Sequence, residues 1–275
     1  MSNITKLLRT RLRSSGIFFR GHFNYWGKKV YFPARSHIFK RASLDGIYEP
    51  DTTTLVFSLV RPGTTFFDVG ANIGLLSVAV LATQSAVDVI SIEASPDTLP
   101  YLNRTRAASG RENWKIIGAA VGDRAGEAEF WAADVALSAF NGLRDTGRGG
   151  PKRVTRVSVR TLDDIWRECG SPVVSLIKMD IEGGESHALR GAGGLLSESK
   201  PALIIEWSAK NLKAYEIAPD SLIQLAADLG YTPYAFPGLV RADTKLLLAI
   251  SMAQTETFIL LPNPRPERPS GPGRN

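Results

Sequence analysis

The sequence holds one cysteine, Cys169, in 275 residues. That excludes an internal disulfide and a multi-cysteine zinc site, and it fits a reducing compartment. No apolar run reaches the roughly 18 residues that a membrane span needs. Arg11 and Arg13 also interrupt the apolar N-terminal positions before they reach the roughly 7 to 15 residues of a leader's core. The expectation is therefore a cytoplasmic protein. Histidine is scarce, at three residues. His22 and His37 sit among basic residues with no evident partner, and His187, a general-base candidate by its ordinary pKa, falls inside a predicted helix. Acidic residues are missing altogether from residues 1–41, which carry Lys6, Arg9, Arg11, Arg13, Arg20, Lys28, Lys29, Arg35, Lys40 and Arg41. Such an arm is a solvated terminus or a peripheral contact with an anionic membrane surface.

What is present describes an ordinary globular chain. Hydrophobic residues make up 44% and charged ones 22%, with a net charge of +6, so one large core and a modest appendage can form. Much of the positive excess lies at the two ends. The middle of the chain has neither a basic-aromatic array nor an Asn-Pro-Pro-Tyr motif for flipped bases, so no specific nucleic-acid partner is expected.

The organisation reads as three parts. Residues 1–43 form a basic, aromatic N-terminal cover, a short hairpin or helical layer whose Phe18, Phe19, Phe23, Tyr25, Trp26, Tyr31 and Phe32 pack on the main domain. Residues 44–262 form that domain, and 263–275, rich in proline, form a disordered tail. Within the domain, strands and helices alternate. Pro50–Leu59 reads as a helix stopped by Arg61-Pro62-Gly63. Thr64–Asp68, Val87–Glu93, Trp114–Val121, Val173–Asp180 and Ala202–Glu206 read as buried strands. Helices are predicted over Ile73–Ala82, over Pro96–Ala108 with Ser95 as N-cap, over Leu162–Trp166 with Thr161 as cap, from Glu185, and over Asp220–Leu229. Glu127–Ala132 and Val154–Val159 read as local strands, and Thr232–Phe236 with Glu256–Leu261 as a terminal antiparallel pair. Residues 133–151 lack periodicity, and a loop of that length is functional or disordered. The fold class is α/β: a mostly parallel, seven-stranded sheet with an antiparallel terminal strand and helices on both faces.

Ligands of such sheets sit beyond the carboxyl ends of the strands. The first strand ends at Asp68 and turns through Gly70, Ala71, Asn72 and Gly74 into a helix. This is not the dinucleotide pattern G-x-G-x-x-G, because Asn72 stands where the second glycine would admit a pyrophosphate. Asp68 would repel phosphate but suits an ammonium or a sulfonium, which favours the methionine end of S-adenosylmethionine over a nicotinamide dinucleotide. Glu93 ends the second strand about 20 residues later, where a carboxylate can accept both ribose hydroxyls. Asp123, after the third strand, is a candidate for the adenine amino group or a simple turn residue.

Leu176-Ile177-Lys178-Met179-Asp180-Ile181-Glu182-Gly183-Gly184-Glu185 resembles the Lys-x-Asp-x-Glu-Gly-x-Glu motif of the FkbM-type methyltransferases. Phe67–Gly74, Thr161-Leu162-Asp163-Asp164, Leu189-Arg190-Gly191 and Pro201–Glu206 agree in order and spacing, so the similarity spans about residues 48–207. One departure is Ala94, where the family often has proline. The resemblance implies a Rossmann-like class I methyltransferase fold, S-adenosylmethionine as cofactor, and cofactor contacts at Asp68, Gly70, Asn72, Gly74 and Glu93. It also implies a small-molecule or carbohydrate acceptor, with O-methylation of a sugar, glycan or glycosylated natural product as the leading reading. N-methylation of a small molecule and a non-catalytic nucleoside-binding subunit are the alternatives.

Asp180 is the first candidate to orient the methionine amine or the acceptor hydroxyl, with Glu182 and Glu185 next. Three carboxylates within six residues repel one another and need a cation, a shared proton or solvent. Lys178 can supply that charge, so no metal ligand set is assigned, although a divalent ion with Glu206 as a further oxygen ligand would also serve. Trp131, Phe140 and Trp207 are weaker candidates to stack on a sugar ring.

Overall fold

The structure, a computed structural model, describes residues 21–264. Arg9, Arg11, Arg13 and the proline-rich tail beyond residue 264 lie outside it. Among the described residues, thirteen strands and ten α-helices follow in order. A hairpin comes first, β1 (His22–Tyr25) and β2 (Lys28–Tyr31), then α1 (His37–Asp45) and α2 (Pro50–Leu59). The alternation then begins: β3 (Thr65–Val69), α3 (Leu75–Thr83), β4 (Asp88–Glu93), α4 (Leu99–Ser109) and β5 (Trp114–Gly118). Three strands form a small side sheet in the order β6-β8-β7: β6 (Ala120–Val121), β7 (Gly126–Ala132) and β8 (Arg153–Arg160). After α5 (Leu162–Glu168) come β9 (Val174–Met179), α6 (Glu185–Arg190), α7 (Gly193–Ser199), β10 (Ala202–Glu206), α8 (Ala209–Ala214) and α9 (Ser221–Leu229). The chain ends through β11 (Tyr231–Ala235), β12 (Val240–Arg241), α10 (Lys245–Met252) and β13 (Thr257–Pro262).

The main sheet runs β12-β11-β13-β10-β9-β3-β4-β5. It has eight strands rather than the expected seven, because two residues of β12 pair antiparallel at the edge of β11. The antiparallel strand β13 lies between β10 and β11. Its pairing with β11 matches the terminal pair read from the sequence. The strand order reverses between β3 and β9, so both sides of that crevice open at the carboxyl ends of Asp68 and Lys178, which sit opposite each other in register. That is where an open α/β sheet takes its ligand.

The strands are apolar because both faces are covered. Phe66 packs with α3 and the hairpin in one core, and Phe67 with Leu189 and Leu203 in the other. Tyr25, Val30, Phe32 and Phe39 belong to the first of these cores, together with Leu76 and Trp114. Phe23, Tyr25 and Phe32 therefore pack, Trp26 is exposed, and Phe18 and Phe19 lie outside the described residues. Helix α4 begins later than expected: its N-cap is Thr98, and Ser95 instead spends its backbone N–H on a Glu93 oxygen 2.8 Å away. Thr161 does cap its helix, accepting from the Asp164 N–H. Among the described residues no helix is long and apolar enough to cross a membrane.

Candidate active site

A cavity opens at the switch between β3 and β9, with about 990 Å³ of empty space between its walls, including the part open to solvent. Its floor is the glycine turn. Gly70 has φ +80°, and a Cβ there would stand 2.0 Å from the Asp180 carbonyl oxygen. Only glycine lets the two strand ends approach so closely. Asn72 also adopts positive φ, +51°, a conformation that asparagine tolerates. Its N–H donates to Glu93 Oε2 at 2.8 Å, and its Oδ1 accepts from Ser138 Oγ at 3.1 Å.

Glu93 is buried at the cavity wall, its two oxygens accepting from the Asn72 and Ser95 N–H groups. Burial pushes its carboxyl up to about 7, against the pull of these backbone donors. Beside it Ala94, Ala119, Ala120, Val121 and Phe130 make an apolar slot.

Asp68 lies on the same floor but is held from behind. Its Oδ2 accepts from Ser77 Oγ at 2.5 Å, Ser77 meets Ser91 Oγ at 2.7 Å, and Trp114 Nε1 donates to Ser91. This buried chain ties α3 to three strands, so Asp68 fixes the turn as well as lining the cavity. Burial raises its carboxyl, with Lys178 and Ser77 opposing.

The motif of β9 delivers the charged side. Lys178 is buried and donates to Asp180 Oδ2 at 3.2 Å. Burial pulls its ammonium pKa down, but Asp180, Glu49 and Asp68 outweigh that and carry it above its ordinary value. Asp180 is partly exposed and lines the cavity. Glu182, Glu206 and Asp180 bring carboxylate oxygens within 4.8 Å of one another, a group that could hold a divalent ion.

A cation of the chain itself already stands there. Arg148 places NH1 3.2 Å from Glu182 Oε2, 3.2 Å from Asn211 Oδ1 and 4.0 Å from Glu206 Oε1, with its guanidinium 4.9 Å from the Phe140 ring centre. Burial and Asp180 raise Glu182 to about 7, with Arg148 opposing. Burial, Asp180 and Glu182 push Glu206 above the carboxylate range, with Arg148 opposing.

Several expected site residues stand elsewhere. Gly74, at φ +85°, packs against Leu102 and Trp114, 2.7 Å and 3.1 Å from where a Cβ would sit, so it serves the helix–strand contact rather than the cavity. Asp123 is exposed and paired with Arg124 at 3.7 Å, outside the cavity lining, because β6 has already left the main sheet for the side sheet. Glu185 is fully buried behind the cavity, accepting from the Ile181 N–H at 2.9 Å. Burial lifts its carboxyl to about 8. Trp207 is core, donating to the Pro219 carbonyl, and Phe140 carries Arg148 instead of a sugar. His187 is partly buried beside Tyr215, outside both that cavity and the neighbouring one.

The sequence reading missed Tyr48, Glu49, Ser138, Asn141, Arg148 and Tyr215, all at or beside the cavity. The 133–151 segment is ordered: a 3₁₀ turn over Val135–Phe140 and Asn141, whose Oδ1 accepts from the Ala133 N–H, fold it across the opening. The acidic crowding in the motif called for a cation, and that was the one signal pointing to Arg148.

A sequence model described as the Methyltransferase FkbM domain matches residues 68–233. The chain is 28% identical over 158 residues to the 31-O-demethyl-FK506 methyltransferase FkbM of Streptomyces tacrolimicus, a match spanning 48% of this chain and 60% of that protein. Among solved structures, Methyltransferase FkbM from Methylobacillus flagellatus KT superposes with a TM-score of 0.47 at 19% identity, over 94% of this chain and 58% of the other. A TehB-like SAM-dependent methyltransferase from Corynebacterium glutamicum also gives 0.47, at 11% identity, over 82% and 94%. Because the domain model covers more than half of its length, from the glycine turn through the β9 motif to β11, the chain belongs to the FkbM family of methyltransferases.

Proposed function

We propose that the chain transfers a methyl group from S-adenosylmethionine to a hydroxyl group of a sugar, glycan or glycosylated natural product. The observation that carries this reading is the distribution of charge around one cavity. A carboxylate, Glu93, closes an apolar slot on one side, and a Lys178–Asp180 pair lies on the other, with no cluster of cations among the described lining residues that would hold a pyrophosphate. A nucleoside joined to a zwitterionic amino acid fits that pattern, and a dinucleotide does not.

Bound S-adenosylmethionine supplies a methyl group already activated on a sulfonium. The chain's residues have to bind, align and dehydrate. Glu93 would accept the ribose hydroxyls, and the alanine-lined slot would take the adenine by apolar contact. Gly70 would let the amino-acid end approach the backbone closely, and Asn72 would offer its side-chain amide to it. Asp180 would receive its ammonium group, with Lys178 donating to the same carboxylate at Oδ2. The 133–151 segment, pinned by Arg148, would cover the opening and exclude water, which strengthens every charge interaction beneath it.

Oxygen rather than nitrogen as the acceptor is supported by the supply of proton acceptors, since an amine nucleophile needs little help in losing its proton. The Streptomyces relative's name also describes methylation of an O-demethyl compound. Transfer of radiolabel from S-adenosyl-[methyl-³H]methionine to a panel of glycosides and amines tests the reading. Label retained after mild base but found only on amine acceptors would overturn it.

A further inference from the structure

A second cavity, with about 870 Å³ of empty space counted in the same way, lies beside the first at the ends of β9, β10 and β13. Only Glu49, Lys178 and Asp180 line both. We propose that this second cavity receives a neutral, hydroxyl-rich acceptor and that Glu49, at the junction, is the catalytic carboxylate that takes the acceptor's proton. This rests on the methyl-transfer reading above and adds where the acceptor sits and which group it meets.

Among the described residues two carboxylates line both cavities, Asp180 and Glu49, while Asp68 lines the first alone and Asp51 the second alone. Asp180 is bonded to Lys178. Glu182 lines neither cavity and is held by Arg148, and Glu185 is sealed behind the motif. Glu206 reaches the second cavity only, its Oε2 accepts from Asn211 Nδ2 at 2.9 Å, and its Oε1 faces Arg148 at 4.0 Å. Glu49 reaches both chambers, and its carboxylate contributes to the fields that raise Lys178 and Tyr48, with a hydrogen bond to the Tyr48 side chain.

The backbone supports the assignment independently. Glu49 adopts φ 43°, ψ 70°, a left-handed conformation that costs a non-glycine residue energy, and it does so directly before Pro50, which normally imposes an extended predecessor. Strain of this kind persists where the surroundings enforce it and concentrates at functional sites. Here it turns the carboxylate to the junction instead of along α2.

The walls indicate the acceptor class. Phe236 and Pro237 give a flat apolar face, which suits the C–H face of a sugar ring, and Thr52 and Thr257 lie on the same lining. Arg41 and Asp51 carry opposite charges there, and Lys178 is countered by Asp180. Among its described lining residues the chamber therefore has no surplus cation to select a phosphate or a carboxylate. In the step itself, the acceptor oxygen forms a bond to the methyl carbon, and the carbon–sulfur bond breaks with its electron pair going to sulfur. The hydroxyl proton passes to the Glu49 carboxylate.

The test separates the proposal from the reading beneath it. S-Adenosylhomocysteine is first titrated into the full chain by calorimetry, and no binding would sink the methyl-transfer reading itself. The loaded protein is then screened by saturation-transfer NMR, and for methyl transfer, against methyl glycosides of neutral hexoses and 6-deoxyhexoses, alongside glucuronides and sugar phosphates. The proposal expects a neutral glycoside to bind and be methylated. Thr257→Leu should weaken its binding at least tenfold, with S-adenosylhomocysteine affinity changed less than twofold. Glu49→Gln should lower kcat by at least about 100-fold, as loss of a general base does, with KM and S-adenosylhomocysteine affinity within threefold. Binding confined to anionic sugars, no sugar bound at all, or undiminished kcat in Glu49→Gln would each overturn it.

Discussion

Cofactor affinity should depend on pH through Glu93. Its carboxyl titrates near 7 in the free protein because burial outweighs its backbone donors. Ribose hydroxyls donating to it would favour the ionised form and lower that pKa on binding. Affinity should then be near its plateau at pH 8 and fall about tenfold by pH 6, one decade for the unit below the free pKa. At pH 7 about half a proton should leave the protein per ligand bound. Calorimetry with S-adenosylhomocysteine in buffers of different ionisation enthalpy reads both quantities. Glu182 and Glu185 titrate in the same range, so the assignment needs Glu93→Gln as a control. That variant should bind roughly 10- to 100-fold more weakly, the worth of charge-assisted hydrogen bonds, and its affinity should no longer vary between pH 6 and 8. A wild-type affinity that is flat over this range, or a slope that survives in Glu93→Gln, would refute the reasoning.

Stability of the unliganded protein should run the other way. The Glu185 carboxyl is raised from 4.5 to about 8, so the folded state holds a proton that the unfolded chain gives up, and stability is lost as pH rises between those values. The melting temperature should fall from pH 5 to pH 8, and Glu185→Gln should flatten that slope by up to about 1.4 kcal/mol per pH unit; an unchanged slope would count against the buried assignment. Gly70→Ala should cost about 2 to 5 kcal/mol, from positive φ and the overlap with the Asp180 carbonyl, and abolish cofactor binding, both visible by denaturant titration and calorimetry. Arg148→Ala should release the 133–151 segment, read as faster limited proteolysis there, and weaken cofactor binding. With Arg148 in place, methyl transfer should survive EDTA, and an activity that requires added magnesium would show that the Asp180, Glu182 and Glu206 group works with a metal.

How much of this was legible in the sequence differs by element. The buried strands announced themselves because each is covered on both faces and so must be continuously apolar: Phe66–Phe67 and Ile204–Ile205 look to opposite cores with no polar alternation. The local rule for Thr161 also held, since that cap depends only on its own turn. Ser95 failed because its hydroxyl reaches no N–H of the helix, its carbonyl accepting instead from Thr98 and Leu99 in a turn before the helix begins. Gly74 was read as a ligand-side glycine, but spacing alone cannot tell a tight ligand approach from a tight approach to Leu102. Asp123 was read by its distance from the third strand, and the departure of β6 into another sheet moved it away.

Within the site, the residues grouped in one motif were found, and those brought in from a distance were not. Lys178, Asp180 and Glu182 share a strand end and a short turn. Glu49 arrives from a helix start and Arg148 from a glycine-flanked loop, and nothing periodic or compositional marks either. Their roles depend on long-range placement, which one sequence without its relatives does not encode in readable form.

The close contact of Gly70 with the Asp180 carbonyl, reinforced by the Asp180 N–H donating to Val69 at 3.1 Å, has a consequence for folding order. The two partners lie on parallel strands more than 100 residues apart in the chain. Such non-local parallel pairing is among the slowest contacts to form, because a long stretch must close before any bond rewards it. The glycine turn can be complete as a local structure and still have no floor until β9 docks against β3. Competence to bind the methyl donor should therefore appear late in refolding, after most helical signal has recovered. The donor itself would then act as a clamp on the last joint of the sheet.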